Sequence, residues 1–127
     1  MARHNQKIGM KRVDLELTRL SLGTAPLAGL FKSVDVSDSD QLIHTALDNG
    51  MNYFDTAPLY GHGLAEERLG RILRTVTKPF VLETKVGRVL NWVEKADPVP
   101  WFPDADPHMQ PVFDYSADGI KRSLDES

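Results

Sequence analysis

Apolar residues recur at helical spacing in three stretches of the chain. The clearest covers residues 37–49, where Ser37 is placed to cap a helix and Gly50 to end it. A second helix is predicted over about residues 64–74, and a third follows Ser116, which is placed to be its N-cap. The pattern therefore predicts three amphipathic helices.

Short apolar runs separate these helices and are typical of buried strands. They cover residues 20–25, closed by Pro26, then residues 51–56 and residues 80–86. Residues 13–22 also alternate in part, which predicts a short strand or hairpin. The order strand, helix, strand, helix, strand predicts an α/β fold in which helical crossovers join parallel strands.

Two segments show neither periodicity. Residues 1–12 are polar, so a flexible N-terminus is predicted before a domain over residues 13–127. Residues 88–115 contain five prolines, which predict a long loop because proline interrupts regular elements. Three aromatic side chains in the same segment favour a lid: Trp92, Trp101 and Phe102.

Composition limits the classes of function. The 127 residues suffice for one modest domain. The net charge is −3, and the sequence shows no cluster of basic residues of the kind that a nucleic-acid binder carries. No apolar run approaches the about 20 residues that span a bilayer. The absence of cysteine excludes disulfides and thiolate chemistry. A cytoplasmic protein without nucleic-acid or membrane partners is expected.

Metal-ligating side chains are scattered along the chain. The four histidines form no cluster in sequence, so no metal site is expected. Asp104, Asp106 and His108 alternate in the proline-rich segment and could chelate a cation, although loops of this composition carry such residues by chance.

The predicted strand ends carry the most informative side chains. Asp55 closes one apolar run and Lys85 closes the next, and the carboxyl ends of parallel strands are where such folds keep their active sites. Strand alternation turns Lys85 away from the helices. Because burying either charge alone is costly, Asp55 and Lys85 are expected to form an ion pair.

Tyr60 follows in the loop after Asp55 and is placed to reach this pair. A neighbouring ammonium favours the ionised form of a phenol, and such a phenol can exchange a proton with a carbonyl oxygen or an alcohol. The three residues predict the acid half of a carbonyl reductase. The alternative stays open that Asp55 belongs to a turn with Pro58 and that Lys85 is merely exposed.

With these residues in place, the sequence resembles the aldo-keto reductase family over residues 15–127, the N-terminal portion of a family member. The resemblance rests on GMNYFDTA at residues 50–57, YG at 60–61, ERLG at 67–70 and TKVGR at 84–88. YGHG at residues 60–63, TKVGR at 84–88 and FDYS at 113–116 resemble the bacterial branch of aldose, fucose and pyridoxal dehydrogenases.

The resemblance implies about three βα units of a (β/α)₈ barrel, and an NADP- or NAD-dependent oxidoreductase. Hydride would pass between the nicotinamide and an aldose or small aldehyde or alcohol. Asp55, Tyr60 and Lys85 match three members of the family's catalytic tetrad, with Tyr60 as general acid. The fourth, a histidine on the next barrel strand, has no counterpart among the four histidines present. Gly23, Thr24 and Asp55 match positions beside the nicotinamide.

A second interpretation starts from the incomplete barrel. An unpaired strand edge favours association with another chain. On this interpretation the chain is a truncated, non-catalytic fragment that acts as an interaction module or an inactive remnant, and it self-associates through the open barrel edge. Retention of the three chemical side chains favours the enzyme.

Overall fold

The structure is a computed structural model that describes residues 4–127. The three predicted helices are present, each starting within one residue of its predicted start, and none has the length and apolar character to cross a membrane within the described part of the chain. The elements in chain order are β1 (Lys7–Gly9), β2 (Glu16–Thr18), β3 (Leu22–Gly23), a 3₁₀ helix (Ala25–Ala28), α1 (Val36–Asp48), β4 (Tyr53–Asp55), α2 (Leu64–Leu73), β5 (Val81–Glu83), β6 (Arg88–Trp92), β7 (Met109–Phe113) and α3 (Ala117–Asp125).

The central sheet is parallel. β4 lies between β3 and β5, with Phe54 opposite Leu22 on one side and Leu82 on the other. α1 leads from β3 to β4, and α2 leads from β4 to β5. The predicted alternation of strands and helices in an α/β fold is confirmed.

Phe54 is at the centre of the core and is fully buried. The ring of Phe80 meets it edge-on, with the centroids 6.4 Å apart. Side chains of the 3₁₀ helix, α1 and α2 complete the cluster: Leu27, Ile43, Ala46, Leu69, Ile72 and Leu73. Because successive strand residues face opposite ways, this burial of Phe54 turns Tyr53 and Asp55 to the other face of the sheet.

The helix ends test the predicted caps. Ser116 caps α3, where its Oγ accepts a 3.0 Å hydrogen bond from the Gly119 amide, as predicted. Gly50 follows α1 with a φ of +79°, in the left-handed region that ends helices. The predicted cap of α1 is wrong: Val36 is already helical, so Asp35 takes the N-cap position and Ser37 lies inside the first turn.

An antiparallel hairpin of β1 and β2 precedes the central sheet, so the flexible start predicted for residues 1–12 is wrong over β1. Residues 1–3 of that prediction lie outside the described residues. Asn52 fixes the hairpin to the start of β4, because its side chain accepts from the Thr18 amide at 2.8 Å and donates to the Glu16 carbonyl at 2.8 Å. The side chains of β1 are exposed, so no apolar pattern reveals this strand.

β6 and β7 form a second antiparallel hairpin, so the long loop predicted over residues 88–115 is wrong at both ends. Backbone hydrogen bonds join Val93 to His108 and Asp114 to Gly87, which makes odd-numbered residues of β6 the hydrogen-bonded positions. Pro111 faces Leu90 at a position that needs no amide donor. A proline there leaves the ladder intact, which is why counting prolines misled the prediction.

Arg68 joins α2 to the segment that leads into α1. It is 8% exposed, and its Nη1 donates to the carbonyls of Leu27 and Val34 and to the Ser39 hydroxyl. A single guanidinium thus satisfies three acceptors that the packing of helices removes from water.

We expect Arg68→Met to lower the free energy of unfolding by about 1–3 kcal/mol, because buried acceptors lose their donor. Urea unfolding followed by circular dichroism measures the change. Arg71→Met is the matched control on the same helix: Arg71 pairs with Asp40 at 2.5 Å, but its side chain is 48% exposed, so a much smaller effect is expected. Equal losses in the two variants would contradict this account of Arg68.

Candidate active site

Asp55 and Lys85 meet at the carboxyl edge of the central sheet. Lys85 lies two residues beyond β5, and its Nζ donates to Asp55 Oδ1 at 2.5 Å and to the Thr56 carbonyl at 2.9 Å. The pairing expected from the sequence is therefore present. The two side chains remain partly open to solvent, at 27% exposure for Asp55 and 45% for Lys85.

Tyr60 completes the cluster from the turn that follows β4. Its ring lies beneath Lys85, with Nζ 4.9 Å from the ring centroid, in the range of a cation–π contact. The ring of Phe102 lies 6.2 Å from that of Tyr60, at an interplanar angle of 40°. The structure thus brings together all three side chains that the sequence singled out, hereafter the Asp55–Tyr60–Lys85 cluster.

Lys85 carries the positive charge of the cluster. Burial lowers its pKa, but hydrogen bonding to Asp55 and Tyr60 and the charges of those groups outweigh burial, so the pKa of Lys85 lies above its ordinary value. Lys85 is therefore an ammonium throughout the neutral range, and Asp55 balances its charge.

Gly23 and Thr24, which the resemblance assigns to the nicotinamide site, lie beside Asp55. Gly23 pairs with Asp55 across β3 and β4, and the Thr24 amide donates to the Asp55 carbonyl at 3.0 Å. A Cβ at Gly23 would meet nothing within 4 Å, so the strand end leaves open space next to the carboxylate. Thr24 itself is fully buried, and it contributes backbone rather than an accessible hydroxyl.

The turn that carries Tyr60 has an unusual backbone. Gly61, His62 and Gly63 have φ values of +64°, +54° and +95°, all in the left-handed region. His62 is 3% exposed, and its Nδ1 lies 3.4 Å from the Asp106 carbonyl. The glycines that flank His62 therefore form a packed turn.

Two residues of the same face were missed. Tyr53 lies two residues before Asp55 on β4, and its hydroxyl donates to Glu83 on β5. The signal was available, because the alternation that turns Lys85 away from the helices also turns Glu83 that way.

The residues considered as cation ligands serve other contacts. Asp104 accepts from the Ser33 hydroxyl at 2.6 Å and the Val34 amide at 3.1 Å, while Asp106 accepts from the His108 amide at 2.7 Å. Within residues 4–127 no three histidine or acidic side chains are grouped to hold a metal ion.

A cavity of about 590 Å³ lies on the helix side of β5, lined in part by Leu82 and Thr84. These residues alternate with Glu83 and Lys85, so the cavity and the Asp55–Tyr60–Lys85 cluster lie on opposite faces of the strand. The candidate site is therefore separate from this cavity.

Comparison with known proteins places this geometry in a family. The sequence model of the aldo/keto reductase family matches residues 19–127. The chain is 39% identical to pyridoxal 4-dehydrogenase from Microbacterium luteolum, over 97% of this chain and 39% of that protein. It is 35% identical to D-threo-aldose 1-dehydrogenase from a Pseudomonas species, over 89% of this chain and 36% of that protein.

Solved structures of related enzymes superpose on this chain. A glycerol dehydrogenase from Gluconobacter oxydans superposes with a TM-score of 0.69 at 31% identity, covering 99% of this chain and 35% of that one. The holo form of an aldo-keto reductase from Bacillus halodurans gives 0.68 at 27% identity, covering 97% and 35%. The chain belongs to the aldo/keto reductase family, and it spans between 35% and 39% of the length of these four relatives.

We expect Gly61→Ala to destabilise the Tyr60 turn by about 1–3 kcal/mol, because a Cβ there is strained at positive φ. That Cβ would also stand 2.7 Å from Ala28 Cβ and 3.0 Å from Leu64 Cβ. Gly70→Ala is the matched control: Gly70 lies inside α2, and a Cβ added there would meet nothing within 4 Å. It is expected to gain about 0.5–1 kcal/mol from helix propensity. Urea unfolding distinguishes the two, and a stabilised Gly61→Ala would contradict the strain.

Proposed function

We propose that this protein is an NADP- or NAD-dependent oxidoreductase of the aldo-keto reductase type, acting on an aldose or a small aldehyde or alcohol. We further propose that the described residues form about three βα units of a (β/α)₈ barrel. The contact of Asp55, Lys85 and Tyr60 at the carboxyl edge of a parallel sheet carries the proposal. Family membership and the names of the relatives support it.

The proposed chemistry assigns one task to each side chain. Tyr60 donates a proton to the carbonyl oxygen of the substrate, or accepts one from the alcohol in the reverse direction. Lys85, held as an ammonium, stabilises the phenolate that remains after proton transfer. Asp55 fixes the position of Lys85 through the 2.5 Å hydrogen bond.

We propose that the nicotinamide lies in the open space beside Gly23. When bound, it supplies or accepts the hydride at the carbon atom of the substrate. Gly23, Thr24 and Asp55 are proposed to form this part of the site. Gly23 leaves space, buried Thr24 holds the strand end through its amide, and the Asp55 carboxylate can accept hydrogen bonds from a ribose. The Bacillus halodurans relative was solved in a holo form, which supports a cofactor in this family.

The relatives suggest the class of substrate. Their names specify pyridoxal, D-threo-aldoses and glycerol, which are small polar carbonyl compounds or alcohols. A small polar substrate also suits a site whose charged side chains remain 27% and 45% exposed.

We expect Tyr60→Phe to lower turnover by about 10²–10⁴-fold while nicotinamide affinity is retained, because only the proton donor is removed. Turnover is measured by the absorbance of the reduced nicotinamide with pyridoxal and aldoses, and affinity by titration calorimetry. Tyr115→Phe is the control, since Tyr115 is 68% exposed and stacks on Phe113 outside the cluster. Equal turnover in Tyr60→Phe and the parent protein would refute the assignment.

A second candidate function is a non-catalytic interaction module. β5 pairs with β4 on one side only within the described residues, and Leu82 on it is 49% exposed. Such an edge suits self-association.

Intact mass and sedimentation of the natively expressed protein separate the two functions. A mass well above 14.2 kDa with nicotinamide turnover supports the oxidoreductase. A mass of 14.2 kDa, oligomers that Leu82→Lys dissociates and no turnover would support the module.

A further inference from the structure

Four polar side chains share the open face of β4 and β5. Tyr53 and Asp55 are two residues apart on β4 and share one face. Glu83 at the end of β5 and Lys85 two residues later share that face as well. In the parallel register, Asp55 is paired directly with Glu83. Two carboxylates are therefore neighbours on a face where Lys85 is the cation in contact with Asp55.

Either Asp55 or Glu83 could accept a hydrogen bond from Lys85 in this arrangement. Glu83 and Lys85 point to the same face two residues apart, a separation of about 7 Å along a strand, which the flexible stem of a lysine can bridge. In the structure, however, Nζ bonds to Asp55 and to the Thr56 carbonyl, and Glu83 is bonded to the Tyr53 hydroxyl. Each carboxylate thus has its own donor.

The Tyr53 hydroxyl is a persistent donor. Its hydrogen bond to Glu83, together with burial and the charges of Glu83 and Asp55, raises the pKa of Tyr53 above its ordinary value of 10.0, while Lys85 opposes the shift. Tyr53 is therefore protonated across the neutral range, where Lys85 is also charged.

We propose that Tyr53 is a positioning residue: its hydroxyl occupies the Glu83 carboxylate and so prevents Glu83 from competing with Asp55 for Lys85. The inference deepens the proposed function and rests on it, since the position of Lys85 matters because of Tyr60. If Glu83 captured the ammonium, Nζ would leave Asp55 and lose its place over the Tyr60 ring.

The test is a double-mutant cycle of Tyr53→Phe, Glu83→Gln and the two combined, made in the natively expressed protein. We expect Tyr53→Phe to lower kcat by about tenfold with little change in KM. A misplaced Lys85 would remove part of the rate enhancement that proton transfer from Tyr60 supplies. Glu83→Gln should stay within about twofold of the parent protein. The double variant should recover most of the lost kcat, because the competing charge is gone.

Rescue separates positioning from general damage. A structural defect caused by losing the Tyr53 hydroxyl would persist in the double variant, so equal impairment of the single and double variants would overturn the proposal. Thermal unfolding by circular dichroism checks that each variant is folded. Tyr53→Leu, alone and with Glu83→Gln, replaces Tyr53→Phe if the latter does not fold.

A crystal structure of Tyr53→Phe gives a readout that does not depend on turnover. We expect Nζ of Lys85 to contact Glu83 and to lie beyond about 4 Å from Asp55, against 2.5 Å in the parent protein. An unchanged contact with Asp55 would overturn the inference even if turnover fell. Absence of nicotinamide turnover in the parent would defeat the proposed function, and the crystallographic comparison would still decide the role of Tyr53.

Discussion

Burial of Phe54 is the constraint on which the candidate site depends. Moving an aromatic side chain of this size out of water stabilises a fold by about 1.5–3 kcal/mol. The ion pair of Asp55 and Lys85, with side chains 27% and 45% exposed, contributes at most about 1 kcal/mol. Packing therefore positions the charges, and their attraction does not determine the fold. A one-residue slip of β4 would bury Asp55 and expose Phe54, so the core also protects the chemistry.

On the open face of β4 and β5, each carboxylate has its own hydrogen-bond donor. Asp55 and Glu83 are register partners, so their like charges would repel if neither had a donor. Lys85 neutralises one carboxylate, and the Tyr53 hydroxyl satisfies the other without adding charge. This arrangement leaves Lys85 in contact with both Asp55 and the Tyr60 ring, the contacts on which the proposed acid–base chemistry at Tyr60 depends. The proposed role of Tyr53 therefore adds a second hydrogen-bonded pair to the face that carries the cluster.

The sequence predicted those features that depend on periodicity. Apolar spacing identified α1, α2 and α3 and the parallel strands, and alternation placed Lys85 opposite the helices and near Asp55. It did not reveal β1, whose side chains are exposed and whose pairing is made by backbone atoms. It also did not reveal the hairpin around Pro111, because only the register shows that this residue needs no amide. Features built from backbone hydrogen bonds leave little trace in side-chain pattern.

The segment that joins β6 to β7 packs against the turn that carries Tyr60. Its tip carries Phe102, which is 4% exposed and packs beside the Tyr60 ring, and the amide of Asp106, which donates to the Gly61 carbonyl at 3.4 Å. Trp92 is instead 70% exposed and stacks on His108. The aromatic residues of this segment therefore divide by burial: Phe102 packs against the Tyr60 turn, whereas Trp92 and Trp101 are exposed. The Tyr60 ring therefore contacts both the Lys85 ammonium and the Phe102 ring. Part of a segment predicted to act as a lid therefore packs against the Tyr60 ring.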